Sequence, residues 1–483
     1  MESLAIENLS FTYKSWNEKK NQPLLEKLNL TVLSGEKVLI LSPPEGGKTT
    51  FSRIINALIP KFIDGTLSGN IHVNDKVLTD CQPYDLVRDI CYVSQNPLEM
   101  FVSTTCENEV AFPLESLGLD SHCIAATVHR VLEKWGLLSF AKASPFELSG
   151  GERKRLLLSV SSAIDPSIFV LDEAFDDLDA TWRNFLAQEI KTSDKTVITL
   201  SARYLRQFEG VFDKVLLLEK GTLHQVTEAE ARSLFTHKTI ESYLKDSLLL
   251  HPYASRVSAY QGIRQEVRVE GLLAVRKRES IKDEQPFVMD CAHFAVKSCE
   301  VVRLIGSNGS GKSTFSRIAC GLDSFDHGSI FLNGKKATDQ MLQSNVGYLF
   351  QNPDYQIFLP TVYEELAWGL VNAGTYTNKE IREKVEQCTA LFSLNLQETP
   401  TTMSFALRKK LQAAVYYLLE RPFLILDELD GAMSYEDAYF IISELSKKGC
   451  ALIIITHDDQ FAQEIADATY TVHHGVLEVL DER

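Results

Sequence analysis

No stretch of the chain reaches about 18 consecutive apolar residues, so no bilayer-spanning helix is expected. The opening MESLAIENLS has neither the basic start nor the apolar core of a secretory leader. No CxxC pair occurs among the nine cysteines, which are scattered and odd in number. That speaks against zinc and disulfides and for reduced thiols in a cytosolic setting. Positive charge is scarce, 49 Lys+Arg against 65 Asp+Glu, a formal charge of −16. A protein whose main task is gripping nucleic-acid phosphate is therefore not expected, and no nucleic-acid partner is assigned. The histidines lack metal-ligand spacing, and no nucleophile triad is visible. What is there is ordinary globular material: 483 residues, 45% hydrophobic and 24% charged, enough for two or three full cores.

The chain repeats itself. One glycine-rich stretch is Ser42-Pro43-Pro44-Glu45-Gly46-Gly47-Lys48-Thr49, and the other is Gly306-Ser307-Asn308-Gly309-Ser310-Gly311-Lys312-Ser313. Two apolar strands ending in Asp-Glu follow, Ile168 to Glu173 and Phe423 to Glu428. Asp172 and Asp427 are 255 residues apart, as are Ser149 and Ser404, and Gln95 and Gln351 are 256 apart. The lysines Lys48 and Lys312 are 264 apart, so the first copy carries a few extra residues after its loop. A shared register over several motifs means duplication of a whole domain. The expected organisation is a first domain over 1–235, a mixed helical and loop linker over 236–262, and a second domain over 263–483.

In each copy an apolar strand (Val38 to Leu41, Val301 to Ile305) runs into the glycine-rich turn and then a helix. That order aims backbone N–H groups at phosphate, helped by the helix dipole. Glycines let the backbone approach closely and take positive φ. Lys312 is expected to reach the β- and γ-phosphates, Ser313 to ligate Mg²⁺, and Asp427 to help hold that ion. Glu428 is placed to polarise an attacking water. The second loop, from Gly306 through Ser313 to Thr314, matches the phosphate-loop pattern at every position. The first departs at Ser42, where a glycine is expected, and Pro43-Pro44 stiffens it. Gly46, Gly47, Lys48, Thr49 and Thr50 are intact, so nucleotide binding is expected there too.

Leu148-Ser149-Gly150-Gly151-Glu152-Arg153-Lys154-Arg155 precedes the first Asp-Glu strand. It resembles the LSGGQ signature of ABC-type ATPases, and Gln95 and Gln351 lie where that family has its Gln loops. The resemblance covers nearly the whole chain, twice. Gln351-Asn352-Pro353-Asp354-Tyr355-Gln356-Ile357-Phe358 looks further like the Gln loop of energy-coupling-factor (ECF) and cobalt-type importer ATPases. The implied fold is α/β: two ABC-type P-loop ATPase domains in one chain, each a RecA-like α/β core with an antiparallel β part and a helical subdomain. The implied ligands are ATP and Mg²⁺. Metal-holding residues would be Ser313, Gln351 and Asp427 in the second copy, and Thr49, Gln95 and Asp172 in the first. Catalysis would use Glu428 with His457 and Gln351. In the family the signature caps the γ-phosphate of a nucleotide held on the other domain, head to tail.

Departures from the family pattern are unevenly placed. Met403-Ser404-Phe405-Ala406-Leu407 stands at the second signature, with Phe405 and Ala406 in place of both glycines. The family's switch histidine matches His457, but Ala202 stands in the first copy. The D-loop aspartate is Asp179 in the first copy and Ser434 in the second. A head-to-tail pairing thus groups the second loop, Asp427, Glu428 and His457 with Ser149, Gly150, Gly151 and Asp179, where only Glu152 departs. The other pairing collects Ser42, Ala202, Phe405, Ala406 and Ser434. Tyr13 matches the aromatic that stacks on adenine in this family. The equivalent stretch Leu272 to Arg276 has none, and Arg276 either stacks on a base or is a solvated surface charge.

The resemblance implies an importer ATPase held peripherally on the cytoplasmic face of a cell membrane. Its partners would be integral membrane subunits: a transmembrane coupling protein and a substrate-binding protein for a vitamin or metal ion. Met100, Phe101, Ile357 and Phe358 would receive short helices of that partner, or serve as core. Two other readings are a soluble tandem ATPase working on ribosomes and a non-catalytic ATP-dependent scaffold. The first of these relatives usually has a charged linker and two good signatures, which this chain lacks.

Overall fold

A computed structural model describes residues 2–14, 23–43, 46–236, 240–244, 247–276, 286–431, 433–456, 458 and 460–482. His457 and the loop residues Pro44 and Glu45 lie outside the described residues. The chain divides into two compact units, Met1–Thr236 and a second over His237–Arg278 and Glu284–Arg483.

In the first unit a six-stranded sheet runs in the order Thr222–Val226, Lys214–Glu219, Lys37–Leu41, Thr196–Ser201, Ile168–Asp172, Ile90–Val93. All neighbours are parallel except the first pair. Lys37–Leu41 is buried along its whole length, as a strand covered on both faces requires. A separate antiparallel sheet orders Leu25–Leu33, Glu2–Tyr13, Gly65–Val73 and Lys76–Val77. Its strand Leu25–Leu33 alternates buried and exposed residues over most of its length, so one face packs and the other meets water. Helices Cys106–Ser116, Ser121–Lys134 and Gly150–Ile164 form a helical layer whose core includes Val110, Leu114, Val131 and Leu156.

The second unit repeats this plan with one difference. Its antiparallel and parallel parts join into a single ten-stranded sheet, because Asp290 and Cys291 pair in parallel with Val476 and Leu477. The central strand Val301–Ile305 lies between Ala451–Ile455 and Ala468–His473. The matching helices are Val362–Ala373, Asn378–Phe392 and Phe405–Leu419. Within the segment 236–262, Leu244 and Leu249 are buried in the second unit's core beside Tyr439 and Ile442. A third residue there, Arg256, pairs with Asp467 of the same unit.

Candidate active site

Each glycine-rich loop caps a helix, Lys48–Ile55 in the first unit and Lys312–Ala319 in the second. The capping glycines Gly47 and Gly311 take φ of 97° and 117°, a region closed to side chains with a Cβ. Lys48 and Lys312 fold back onto their own loops. Lys312 Nζ donates to Gly306 O (2.8 Å) and Ser307 O (3.0 Å), and Lys48 Nζ to Ser42 O (2.7 Å). Asn308 and Gly309 make the intervening turn, closed by Ser310 N on Ser307 O at 3.2 Å. Ser313 is exposed at the helix start, with Thr314 half-buried behind it.

The departure at Ser42 is compensated inside its own loop. A Cβ on Gly46 would fall 2.0 Å from Ser42 Oγ, and a Cβ on Gly306 would fall 2.7 Å from Ser310 Oγ. The two loops thus place one hydroxyl in the same space from opposite ends: serine then glycine in the first, glycine then serine in the second. We expect Gly46→Ala to abolish ATP binding by the first unit, and Ser42→Gly/Gly46→Ala to regain most of it. Equilibrium binding of a fluorescent ATP analogue to a chain with its second loop disabled by Lys312→Ala would check this. No recovery in the double variant would mean that the serine is not the obstacle.

The Asp-Glu strands deliver their carboxylates beside these loops. Asp172 is fully buried and accepts from Tyr92 OH at 3.0 Å, while Asp427 accepts from Tyr348 OH. Burial pushes the Asp172 carboxyl up, opposed chiefly by Lys48. Its Oδ1 is buried with no hydrogen-bond partner, an orphaned acceptor of the kind a cation would satisfy. The residues expected to hold the metal, Thr49, Asp172 and Gln95 in the first unit and Ser313, Asp427 and Gln351 in the second, would offer hydroxyl, carboxylate and amide oxygens, a hard donor set. That set suits Mg²⁺. Glu173 and Glu428 share a left-handed backbone, φ 48° and 49°, and each N–H donates to the neighbouring strand, at Leu200 O and Ile455 O. Their partners differ. Gln351 Nε2 donates to Glu428 Oε2 at 3.0 Å, whereas Glu173 lies 3.6 Å from Lys48 Nζ. Burial raises the Glu173 carboxyl, with Lys48 opposing.

The signature residues begin the helix Gly150–Ile164. Ser149 caps it in a reciprocal box with Glu152, its Oγ donating to Glu152 Oε2 at 2.8 Å. Gly150 and Gly151 form the first turn. Ser404 caps the equivalent helix with its hydroxyl on Leu407 N (3.2 Å), so Phe405 and Ala406 change the surface of that turn and not its fold. Asp179 and Ser434 likewise both cap helices, accepting from Trp182 N and Asp437 N at 3.1 Å. The exchange keeps the cap and drops the carboxylate. After Ser201, Ala202 is buried, and Arg203 forms a buried ion pair with Asp176 at 3.0 Å.

Tyr13 OH lies 2.8 Å from Thr50 Oγ1 in the first turn of the loop helix, with the ring partly exposed. Arg276 reaches the carbonyl of Ser324. Phe287, opposite Arg276 in the strand register, is the aromatic that lies against the second loop, its ring 2.6 Å from where a Gly311 Cβ would be. Reading only the first strand missed it. Also missed were Lys154 and Lys409, both deeply buried. Lys154 Nζ donates to Ser94 O, Gln95 O and Glu173 O, and Lys409 Nζ to Glu428 O. Each ties an Asp-Glu strand to the signature helix. Their separation equals the 255-residue repeat of the motifs, a signal the sequence did contain.

A strand, a glycine-capped helix with its lysine, and a strand-end Asp-Glu pair with a buried aspartate, present in both units, define tandem P-loop ATPase domains. The family model described as ABC transporter matches residues 25–176 and 289–430. The chain belongs to this family: it is an ABC transporter ATP-binding subunit and an ATPase. It is similar, at 26% identity over 97% of its length and 96% of the relative's, to a protein of Treponema denticola provisionally named ABC transporter ATP-binding protein. A Methanosarcina acetivorans protein of the same provisional name is 29% identical over 94% of this chain and 82% of its own. The solved structure of cbiO1 from Clostridium perfringens, described as part of the ABC transporter complex cbiONQ, is 25% identical, with a TM-score of 0.39. It covers 44% of this chain and 86% of its own.

Proposed function

We propose that the chain drives an importer of the ECF type, bound peripherally to the cytoplasmic face of the membrane. There it would serve a transmembrane coupling protein and a membrane protein that recognises a vitamin or metal ion. The observation that carries this reading is a matched pair of apolar surfaces. Just beyond each Gln loop, Val102 and Phe358 are 69% and 67% exposed, and Phe112 and Trp368 are 53% and 50% exposed. Both pairs are 256 residues apart, the Gln-loop offset. Exposed apolar side chains repeated at one register in both units suit the short apolar helices of a membrane partner. Of the four residues proposed from sequence to receive them, Met100 and Phe358 are exposed, Ile357 is half-buried, and Phe101 is core at 7%. Phe101 is turned inward, where it joins the first unit's core with Cys106, Val110 and Leu156.

In this proposal one composite site turns over. Lys312 and the loop amides bind the phosphates, and Ser313, Gln351 and Asp427 hold Mg²⁺, which supplies positive charge to the β- and γ-phosphates when bound. Glu428, oriented by Gln351, takes the proton of the attacking water, with His457 as the second polar group on the γ-phosphate. Ser149, Gly150, Gly151 and Asp179 complete the site from the first unit. The first loop, with Tyr13 on the adenine, holds a resident nucleotide.

The test is fractionation of cells expressing the tagged chain. It should sediment with membranes and retain an integral membrane protein after mild detergent extraction. Phe358→Asp/Trp368→Asp should cut the membrane-bound share about tenfold or more, as loss of two central aromatics does at an interface. Sedimentation with ribosomes, or membrane binding that ignores the double substitution, would overturn the proposal.

A further inference from the structure

The two units differ in a place no nucleotide motif covers. In both, the tyrosine three residues before the Gln-loop glutamine bonds the strand-end aspartate, Tyr92 to Asp172 and Tyr348 to Asp427. Among the described residues, side-chain bonds tie that tyrosine onward to the Gln-loop turn in the second unit alone. Gln356 closes the turn Pro353–Tyr355, two residues from the exposed Phe358. Its Oε1 accepts from Gln412 Nε2 at 2.6 Å, and its Nε2 donates to the Tyr416 hydroxyl at 2.8 Å. That hydroxyl grips both backbone groups of Tyr348, accepting from its N at 3.2 Å and donating to its O at 3.3 Å. Gln412 and Tyr416 are one turn apart on the helix Phe405–Leu419. Gly347 makes room for the ring, since a Cβ there would fall 2.6 Å from Tyr416 Cε1.

At the repeat offsets the first unit has Met100, Leu157, Ser161 and Cys91 in place of Gln356, Gln412, Tyr416 and Gly347. Neither Met100 nor Leu157 can make these bonds, and Ser161 returns its hydroxyl to Leu157 O at 3.1 Å. Glycine with tyrosine against cysteine with serine is a matched exchange of volume at one contact. All four positions change together, so the second unit's set is a built feature of that unit.

We propose that Gln356, Gln412 and Tyr416 are positioning residues that couple the turn after Gln351 to Asp427. In the second unit alone, a push on that turn moves the carboxylate that holds Mg²⁺. The physical basis is a continuous, largely buried hydrogen-bonded chain, in which moving one member leaves the next unsatisfied. The inference rests on the proposal that Asp427 holds the metal and that a partner touches this turn.

The experiment is calorimetric titration of the full chain with ATP, with and without Mg²⁺, in a Lys48→Ala background so that the second loop alone binds. Tyr416→Phe and Gln356→Met are each expected to weaken Mg²⁺–ATP binding about 3–10-fold, as loss of one or two buried hydrogen bonds does, and to leave metal-free ATP binding unchanged. The double variant should be no worse than the poorer single, because both break one chain. Ser161→Ala should shift nothing. A purely structural role would lower the melting temperature and leave the Mg²⁺ increment intact, which would overturn the coupling. Asp427→Asn separates the two levels. If it abolishes the increment while Tyr416→Phe does not, the coupling alone fails. If it keeps the increment, the metal assignment fails and takes the coupling with it.

Discussion

Glu428→Gln is expected to lower steady-state ATP turnover of the full chain by ~10²–10⁴, the usual weight of a positioned general base. Glu173→Gln should leave turnover within about twofold, since it touches no limiting step in the proposed asymmetric cycle. The contrast cannot come from the strand ends themselves. Both glutamates have the same left-handed backbone and the same donation to the neighbouring strand. It comes from what surrounds them. Gln351 holds the Glu428 carboxylate at 3.0 Å, while Glu173 is buried beside Lys48, with Ala202 where a polar switch residue is expected. Turnover and nucleotide occupancy should be measured on the same preparations. Equal losses in the two variants, or a larger loss for Glu173→Gln, would refute the asymmetric assignment.

The second large effect is expected from exchanging the signature turns. Gly150→Phe/Gly151→Ala should cost ~10²–10³ in turnover, the scale of losing well-aimed donors to a developing charge. Phe405→Gly/Ala406→Gly should change turnover less than about threefold. The first pair is a clean probe because the second unit already builds a helix on the same two residues. Ser404 caps Phe405–Leu419 as Ser149 caps Gly150–Ile164. The variant helix therefore has a folded precedent at the same register. An unchanged melting temperature with lost turnover is the predicted pair of results. If restoring glycines at 405 and 406 raises turnover strongly, the second signature limits the cycle and the proposed division of labour is wrong.

Much of this molecule is legible along the chain. Phosphate binding needs glycines, a lysine and a hydroxyl within eight consecutive positions, because one loop and one helix start must carry them all. The Asp-Glu strand ends are equally local, and so is the signature turn. Other features are not local. Ser42 looks like a defect until Gly46 is seen to vacate the space its hydroxyl takes. Phe101 and Val102 are adjacent and both apolar, yet one is core and the other is surface. No residue-type argument separates them: the fold places Phe101 in the first unit's core and leaves Val102 at the surface.

The duplication, the family, the two nucleotide loops and the uneven loss of motif residues are all readable along the chain. Each of these is written in contiguous residues or in a fixed offset between copies. The folded chain alone reveals that Leu244 and Leu249 contribute core to the second unit and that Phe287 lies against Gly311. It also reveals that Lys154 and Lys409 bind the strand ends, and that Gln356 reaches Tyr348 through Tyr416. Such contacts join residues distant along the chain. Their geometry is set by strand register and helix packing, so the residue types show only that they are possible.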